Sequence, residues 1–184
     1  MLKAVELTCE YLKNPIGIGE MNPRFAWIIE SDLQNVIQET YRIQLAVDEF
    51  FKEILWDTGI VNSSESVHIR YEGPALSSSA RYFYRVKITD NHGQESSWSD
   101  AAYFETAMLD NSEWKARFIS HENDAGNFSK GYLLRKEFLL DGEIEFARIY
   151  STALGLYELS VNGRRVGEEL LAPGWTSYKK RLQY

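Results

Sequence analysis

Hydrophobic and polar residues alternate along much of this chain with a period of two, in short runs. In RFAWIIE, Phe25, Trp27 and Ile29 fall on one face; in ETYRIQLAV, Tyr41, Ile43, Leu45 and Val47 do. In RYFYRVKITD, Tyr82, Tyr84, Val86 and Ile88 point one way and Arg85 and Lys87 the other, before the turn sequence DNHG. Successive side chains of a strand project to opposite faces, so this spacing predicts half-buried antiparallel strands. AVELTCEY, ILWDTGIV, SVHIRY and SSWSDAAYFETA bring the count to about seven strands in roughly the first 106 residues, the spacing of a β-sandwich. Helical periodicity is scarce, and the fold class reads as all-β.

Two residues sharpen the sandwich. Leu76 lies six positions before Tyr82, the spacing of the corner in which a tyrosine hydroxyl bonds to upstream backbone in immunoglobulin-like and fibronectin type III folds. Trp27, on an early strand, is the expected core partner, and neither Tyr82 nor Trp27 should be exposed. After this domain, residues 1–107, the alternation fades through a linker, 108–131, where Asn123 to Gly131 is rich in asparagine, glycine and serine. Residues 132–184 resume it. YLLRKEFLL, EIEFARIYSTAL and GLYELSVNG read as strands, Asn162-Gly163 as a two-residue hairpin turn whose positions need positive φ, and RRVGEELL as the return strand. About 65 residues from Ser120 to Tyr184 are too few for the two Greek keys of a jelly-roll sandwich, so the second sandwich is expected to be truncated. Its Leu154, Leu156, Leu159 and Val161 would then lie exposed and invite pairing with another copy, a homo-oligomer through the incomplete sandwich.

Composition narrows the function classes. The 184 residues are 44% apolar and 14% aromatic, enough for a sizeable core. The 20 basic residues face 27 acidic ones, for a net charge of -7, which leaves no basic stripe for a phosphate backbone and argues against nucleic acid as a partner. The N-terminal stretch has no apolar run of signal-peptide length, and no uncharged apolar run is long enough to span a bilayer. No membrane association is expected, and the expected location is cytoplasmic. The single Cys9 excludes an internal disulfide and a cysteine-based zinc cluster, which fits a reducing compartment. Asn62-Ser63-Ser64 and Asn127-Phe128-Ser129 match the glycosylation sequon and carry little weight without an export signal.

No catalytic set assembles from the residues. Asp57-Thr58-Gly59 in LWDTGIV resembles the way aspartic proteases present a carboxylate, but the mechanism needs two carboxylates sharing a proton and the sequence has one such tripeptide. A strand followed by a polar turn accounts for the same residues; a homodimer would be required for protease chemistry. His68, His92 and His121 lie on different predicted elements without metal-pair spacing, His92 as a turn residue and His68 on one face of a strand. The GIGE near residue 17 lacks the strand-then-helix setting of a phosphate loop. Cys9 falls within the first strand and has no convincing histidine partner. Carbohydrate binding is the chemistry that remains: sugars stack apolar ring faces on aromatic side chains and need amides and charged groups for their hydroxyls. Tyr157, Trp175 and Tyr178 with Asn162 and Arg164 are the candidate set, against the alternative that Trp175 packs beneath Pro173-Gly174 or against a neighbouring domain.

In order, NPIGI, PRFAW, YRIQLAV, LWDTGIV, ARYFYRVKITDNHGQESSWSDAAYFETAML and WKARFI, then LLRKEF and ARIYSTALGLYELSVNGRRVGEELLAPGWTSYKKRLQY, resemble the N-terminal region of bacterial alpha-L-rhamnosidases of glycoside hydrolase family 78. ALGLYELSVNGRRVG with LAPGWTSYKKRLQY is the specific part; Phe118 stands where a tryptophan is expected. The resemblance implies a fibronectin type III-like sandwich followed by part of a jelly-roll of the galactose-binding-like kind. It also implies a parent enzyme whose later (α/α)6 barrel hydrolyses terminal alpha-L-rhamnose from a rhamnose-containing glycan or glycoside with inversion, through a carboxylate acid and base. No residue here matches that pair, so no catalytic residue is assigned and the piece itself is expected to be inactive. Some related jelly-rolls bind rhamnose through calcium, but no ligand residue is assigned here, and no other cofactor or metal is expected.

Two other readings compete. One is a stand-alone binding module, in which the first sandwich docks a protein partner, as SSWSD resembles the serine-tryptophan signature of fibronectin-type receptor domains, and the second contacts a glycan. The other is the dimeric aspartic protease built on Asp57.

Overall fold

A computed structural model describes residues 1–120, 131–144 and 146–184; the predicted loop from Asn123, His121 and the second sequon lie outside them. The chain forms two compact units, Met1–Lys115 and Ala116–Tyr184. Among the described residues there is no α-helix, in line with the period-two patterning.

The first unit is a sandwich of antiparallel strands. β1 (Lys3–Cys9), β2 (Arg24–Glu30) and β6 (Ile69–Arg70) form one sheet in the order β1-β2-β6. The other runs β4-β3-β7-β8, with β3 (Gln38–Ala46), β4 (Ile54–Asp57), β7 (Arg81–Asp90) and β8 (Ala102–Glu105), and β5 (Val61–Asn62) also paired to β3. ILWDTGIV thus makes two strands, because the turn at Asp57-Thr58-Gly59 interrupts the pairing and Gly59 takes a φ of 62°.

The inner faces are those the alternation predicts. Phe25, Trp27, Ile43, Leu45, Tyr84, Val86 and Ile88 are buried, and β3 and β7 meet in register Ile43↔Val86 and Leu45↔Tyr84. Phe25 sits at the centre, its ring 4.5 Å from Tyr84 and 5.9 Å from Phe104, tilted geometries that favour aromatic pairs beyond their buried area. Val47 departs from the pattern: it is 43% exposed because β3 ends at Ala46.

Polar groups inside the sandwich are matched. Trp27 is buried and donates its indole N–H to Gln38 Oε1 at 2.9 Å; the Gln38 amide in turn donates to the carbonyls of Ser63 and Glu65 at 3.0 and 2.8 Å. A buried amide is tolerated when its hydrogen bonds are made inside. The corner also forms: Tyr82 is buried, and its hydroxyl accepts the Ser77 N–H at 2.8 Å, next to buried Leu76.

The second unit is sparser than its sequence pattern predicts. Its one strand pair among the described residues is the hairpin of β9 (Ser160–Val161) and β10 (Arg164–Arg165). Asn162 and Gly163 supply the turn with φ of 51° and 77°, as the hairpin signal requires. YLLRKEFLL takes no strand, the described part of EIEFARIYSTAL takes none, and RRVGEELL takes strand only at Arg164-Arg165, with one further hydrogen bond from the Val166 N–H to the Leu159 carbonyl. Strands need neighbours to satisfy their backbone, and the described residues of this unit provide few. Leu154, Leu156 and Val161 are exposed, whereas Leu159 is half-buried.

Candidate functional site

The five residues read as a sugar-contact set lie on three parts of the second unit. Asn162 is a turn residue and Arg164 lies on β10, both exposed. Tyr157 precedes the hairpin, with its N–H donated to the Ala172 carbonyl at 2.8 Å and its hydroxyl accepting from Ser151 Oγ at 2.6 Å. Trp175 and Tyr178 are brought together, ring centroids 6.0 Å apart and inclined at 50°. Trp175 is 79% exposed, so it is not packed beneath Pro173-Gly174, while the Tyr178 hydroxyl is enclosed without a hydrogen-bond partner. An open indole beside a second ring is the geometry on which a pyranose face stacks. No hydrogen bond among the described residues ties Asn162 or Arg164 to that pair.

The first unit explains its polar residues as structure. Asp57 accepts from Arg42 Nε at 2.9 Å and from the Arg42 terminal nitrogen at 2.7 Å, and also from Gln44 Nε2 at 2.8 Å and the Gly59 N–H at 2.9 Å. The Arg42 hydrogen bonds, with those of Gln44 and Gly59, hold its carboxyl well below the usual carboxylate range. A carboxylate so committed cannot share a proton with a twin, which removes the protease reading. The network continues outward. Gln44 Oε1 accepts two hydrogen bonds from Arg85 at 3.0 and 2.6 Å, and Arg85 is sandwiched between Phe51 and Trp98, 4.2 and 4.5 Å from the ring centroids. Trp98 of SSWSD is thus the cover of an arginine. Sequence reading placed Arg85 outward but missed the ladder, since Arg42 and Asp57 meet only through the β3–β4 register Gln44↔Asp57.

The remaining candidates are equally accounted for. Glu10 accepts from Arg24 Nε at 3.1 Å, its terminal nitrogen at 2.6 Å and its backbone N–H at 2.7 Å, and these hydrogen bonds lower the Glu10 pKa. His68 shares a hydrogen bond of 2.9 Å with the Tyr11 hydroxyl, and His92 lies in the turn after β7, where its N–H donates to Asp90 Oδ1 at 3.0 Å. The Gly17-Ile18 stretch is chain packing: the Ile18 N–H donates to the Glu105 carbonyl at 2.9 Å. Cys9 is fully buried, and burial, with Glu10 nearby, pushes its thiol pKa far up. Among the described residues no group of three or more histidine, cysteine, aspartate or glutamate side chains is arranged to hold a metal ion.

Comparison with known proteins places this architecture. Residues 4–110 match the family described as Rha78A-like, N-terminal immunoglobulin domain, and residues 142–184 match the alpha-L-rhamnosidase N-terminal domain. An alpha-L-rhamnosidase of Formosa agariphila is 34% identical over 95% of this chain and 20% of its own length. The solved alpha-L-rhamnosidase of Dictyoglumus thermophilum aligns at a TM-score of 0.83 and 33% identity, over 97% of this chain and 22% of that one. The Streptomyces avermitilis alpha-L-rhamnosidase, solved in complex with L-rhamnose, aligns at 0.63 and 32% identity over 65% of this chain and 12% of its own. The chain spans about a fifth of the length of the first two relatives. With its sandwich matched across 4–110, the chain belongs to the Rha78A-like N-terminal immunoglobulin domain family, an N-terminal region of the alpha-L-rhamnosidase type.

Proposed function

We propose that this chain serves as the non-catalytic N-terminal part of an alpha-L-rhamnosidase, its partner substrate being a rhamnose-containing glycoside reached through that enzyme. The observation that carries the reading is that 95% of the chain aligns with only a fifth of a rhamnosidase. The charge chemistry agrees. Inverting glycoside hydrolysis needs a carboxylic acid on the leaving oxygen and a carboxylate on water, across a gap that admits the water. Asp57, Glu10 and Glu105 of the first unit are each paired with an arginine. Catalysis would therefore belong to polypeptide outside the matched fifth, with these residues as its scaffold.

A second reading rests on the exposed Trp175 beside Tyr178: a carbohydrate-binding module, with Tyr157, Asn162 and Arg164 as its remaining candidate contacts. Two assays separate the readings. Hydrolysis of an aryl alpha-L-rhamnoside is measured for this chain and for the chain joined to the part of the Dictyoglumus thermophilum enzyme beyond its matched 22%. Activity in the joined protein alone supports the scaffold; activity in this chain alone overturns it. Saturable binding of L-rhamnose by this chain, lost in Trp175→Ala, supports the module.

A further inference from the structure

The pairing of β2 with β6 sets two arginines side by side. Phe25 lies opposite Ile69, and Arg24 opposite Arg70. Phe25 and Ile69 are buried, so the next pair along projects to the outer face of the sheet. Like charges directly opposite one another in a sheet repel. Arg24 is compensated by the Glu10 carboxylate at 2.6 Å, and its guanidinium lies 5.1 Å from the Tyr11 ring centroid. Arg70 is not: among the described residues its side chain has no ion pair or hydrogen bond. Both arginines line a cleft of about 480 Å³ with Gly19, Glu20, Met21 and Asn22. Asn22 donates its amide N–H to the Tyr71 carbonyl at 3.0 Å, which leaves its Oδ1 unengaged. Glu20 is exposed, and among the described residues its carboxylate has no ion pair or hydrogen bond.

The cleft therefore holds a cationic fork without a partner and, beside it, two oxygen acceptors without donors. That combination selects the ligand. A guanidinium takes a carboxylate or a phosphate through paired N–H groups. A phosphate dianion brings no donor for Asn22 Oδ1, and Glu20 repels it. A neutral sugar leaves Arg70 unmatched. A carboxylate carried on a ring of hydroxyls satisfies both halves, because its anionic end faces the arginines and its O–H groups donate to Glu20 and Asn22. We propose that the β2–β6 cleft binds a uronate, an acidic sugar, with its carboxylate on Arg70 and its hydroxyls on Glu20 and Asn22. Arg24, fixed by Glu10 and Tyr11, adds positive charge beside Arg70 and is a positioning residue. That the hydroxy acid is a sugar, a unit of the glycoside, rests on the scaffold reading proposed above.

Titration of the full chain with D-galacturonate, followed by the backbone amide NMR signals of Gly19, Asn22 and Arg70, tests the site apart from activity. Saturable shifts with a Kd on the order of 1–10 mM are expected for so open a cleft, weakening as salt is raised. Arg70→Gln should weaken binding by about tenfold or more, and Glu20→Ala should weaken it as well. Both positions are exposed, so the rest of the spectrum should not move. No saturation by about 50 mM, or equal binding of D-galactose or of inorganic phosphate, overturns the proposal. So does tighter binding of galacturonate by Glu20→Ala, which would make Glu20 a repelling charge in place of a hydroxyl acceptor. Equal binding of lactate overturns the assignment to a sugar. Rhamnoside hydrolysis by the joined protein is read separately. Hydrolysis without galacturonate binding rejects the cleft and keeps the scaffold, whereas galacturonate binding without hydrolysis rejects the scaffold and keeps the cleft.

Discussion

Replacing Asp57 with asparagine tests the reading of the LWDTGIV turn as an electrostatic clasp. The carboxylate accepts four hydrogen bonds, two of them from Arg42. Asparagine keeps one acceptor, turns the other oxygen into a donor aimed at donors, and removes the charge. Charge-assisted hydrogen bonds contribute about 1.5–3 kcal/mol each. The Arg42 and Asp57 side chains are 41% and 26% exposed, so solvent screening brings the whole change down to about 1–2 kcal/mol. For a domain of this size that lowers Tm by about 4–10 °C. The pH dependence carries the sharper signature. The folded-state pKa of Asp57 is depressed, so the unfolded chain takes up its proton first, at about 3.9. The stabilisation is complete above that value and is lost as pH falls toward the folded pKa, by at most about 1.4 kcal/mol per pH unit before screening. Urea unfolding at pH 7, 4 and 2.5, followed by tryptophan fluorescence with Trp98 beside the network, measures it. The gap between the native protein and Asp57→Asn should narrow steadily below pH 4. No gap at pH 7, or one that keeps its full size at pH 2.5, would refute the clasp.

Three further outcomes follow from the first unit. Gln38→Leu removes the acceptor of the buried Trp27 indole N–H and should cost about 1–3 kcal/mol, read as a lower urea midpoint; an unchanged midpoint would mean that the amide is dispensable. Tyr82→Phe leaves the Ser77 N–H without its acceptor and should cost about 1 kcal/mol by the same measurement. Cys9, buried with its thiol pKa raised, should react with an aromatic disulfide reagent only at the rate at which the first unit opens, so labelling should accelerate through the urea transition. Stoichiometric labelling within seconds in buffer would contradict its place in the core.

The first sandwich was legible because its information is local. Alternation in RFAWIIE and RYFYRVKITD states which side chains face inward, and the spacing from Leu76 to Tyr82 marks the corner, whose hydroxyl indeed takes an upstream N–H. The Asn162-Gly163 turn was legible for the same reason, since positive φ at both positions is a property of the dipeptide. The candidate sugar set was legible only as residue types; its one assembled pair, Trp175 with Tyr178, needed the chain's path to bring the rings together.

Pattern alone determined an all-β chain and the inward face of each long strand, because both depend on neighbours two residues apart. Tertiary structure decided what depends on register. Asp57 and Arg42, fifteen positions apart, become one ion pair only when β4 lies against β3, and Trp98 covers Arg85 only when the segment after β7 folds over that sheet. It also decided that YLLRKEFLL, read from its sequence as a strand, forms none here. A strand exists only where another backbone accepts its hydrogen bonds, and period two in a single stretch carries no information about whether that partner is present.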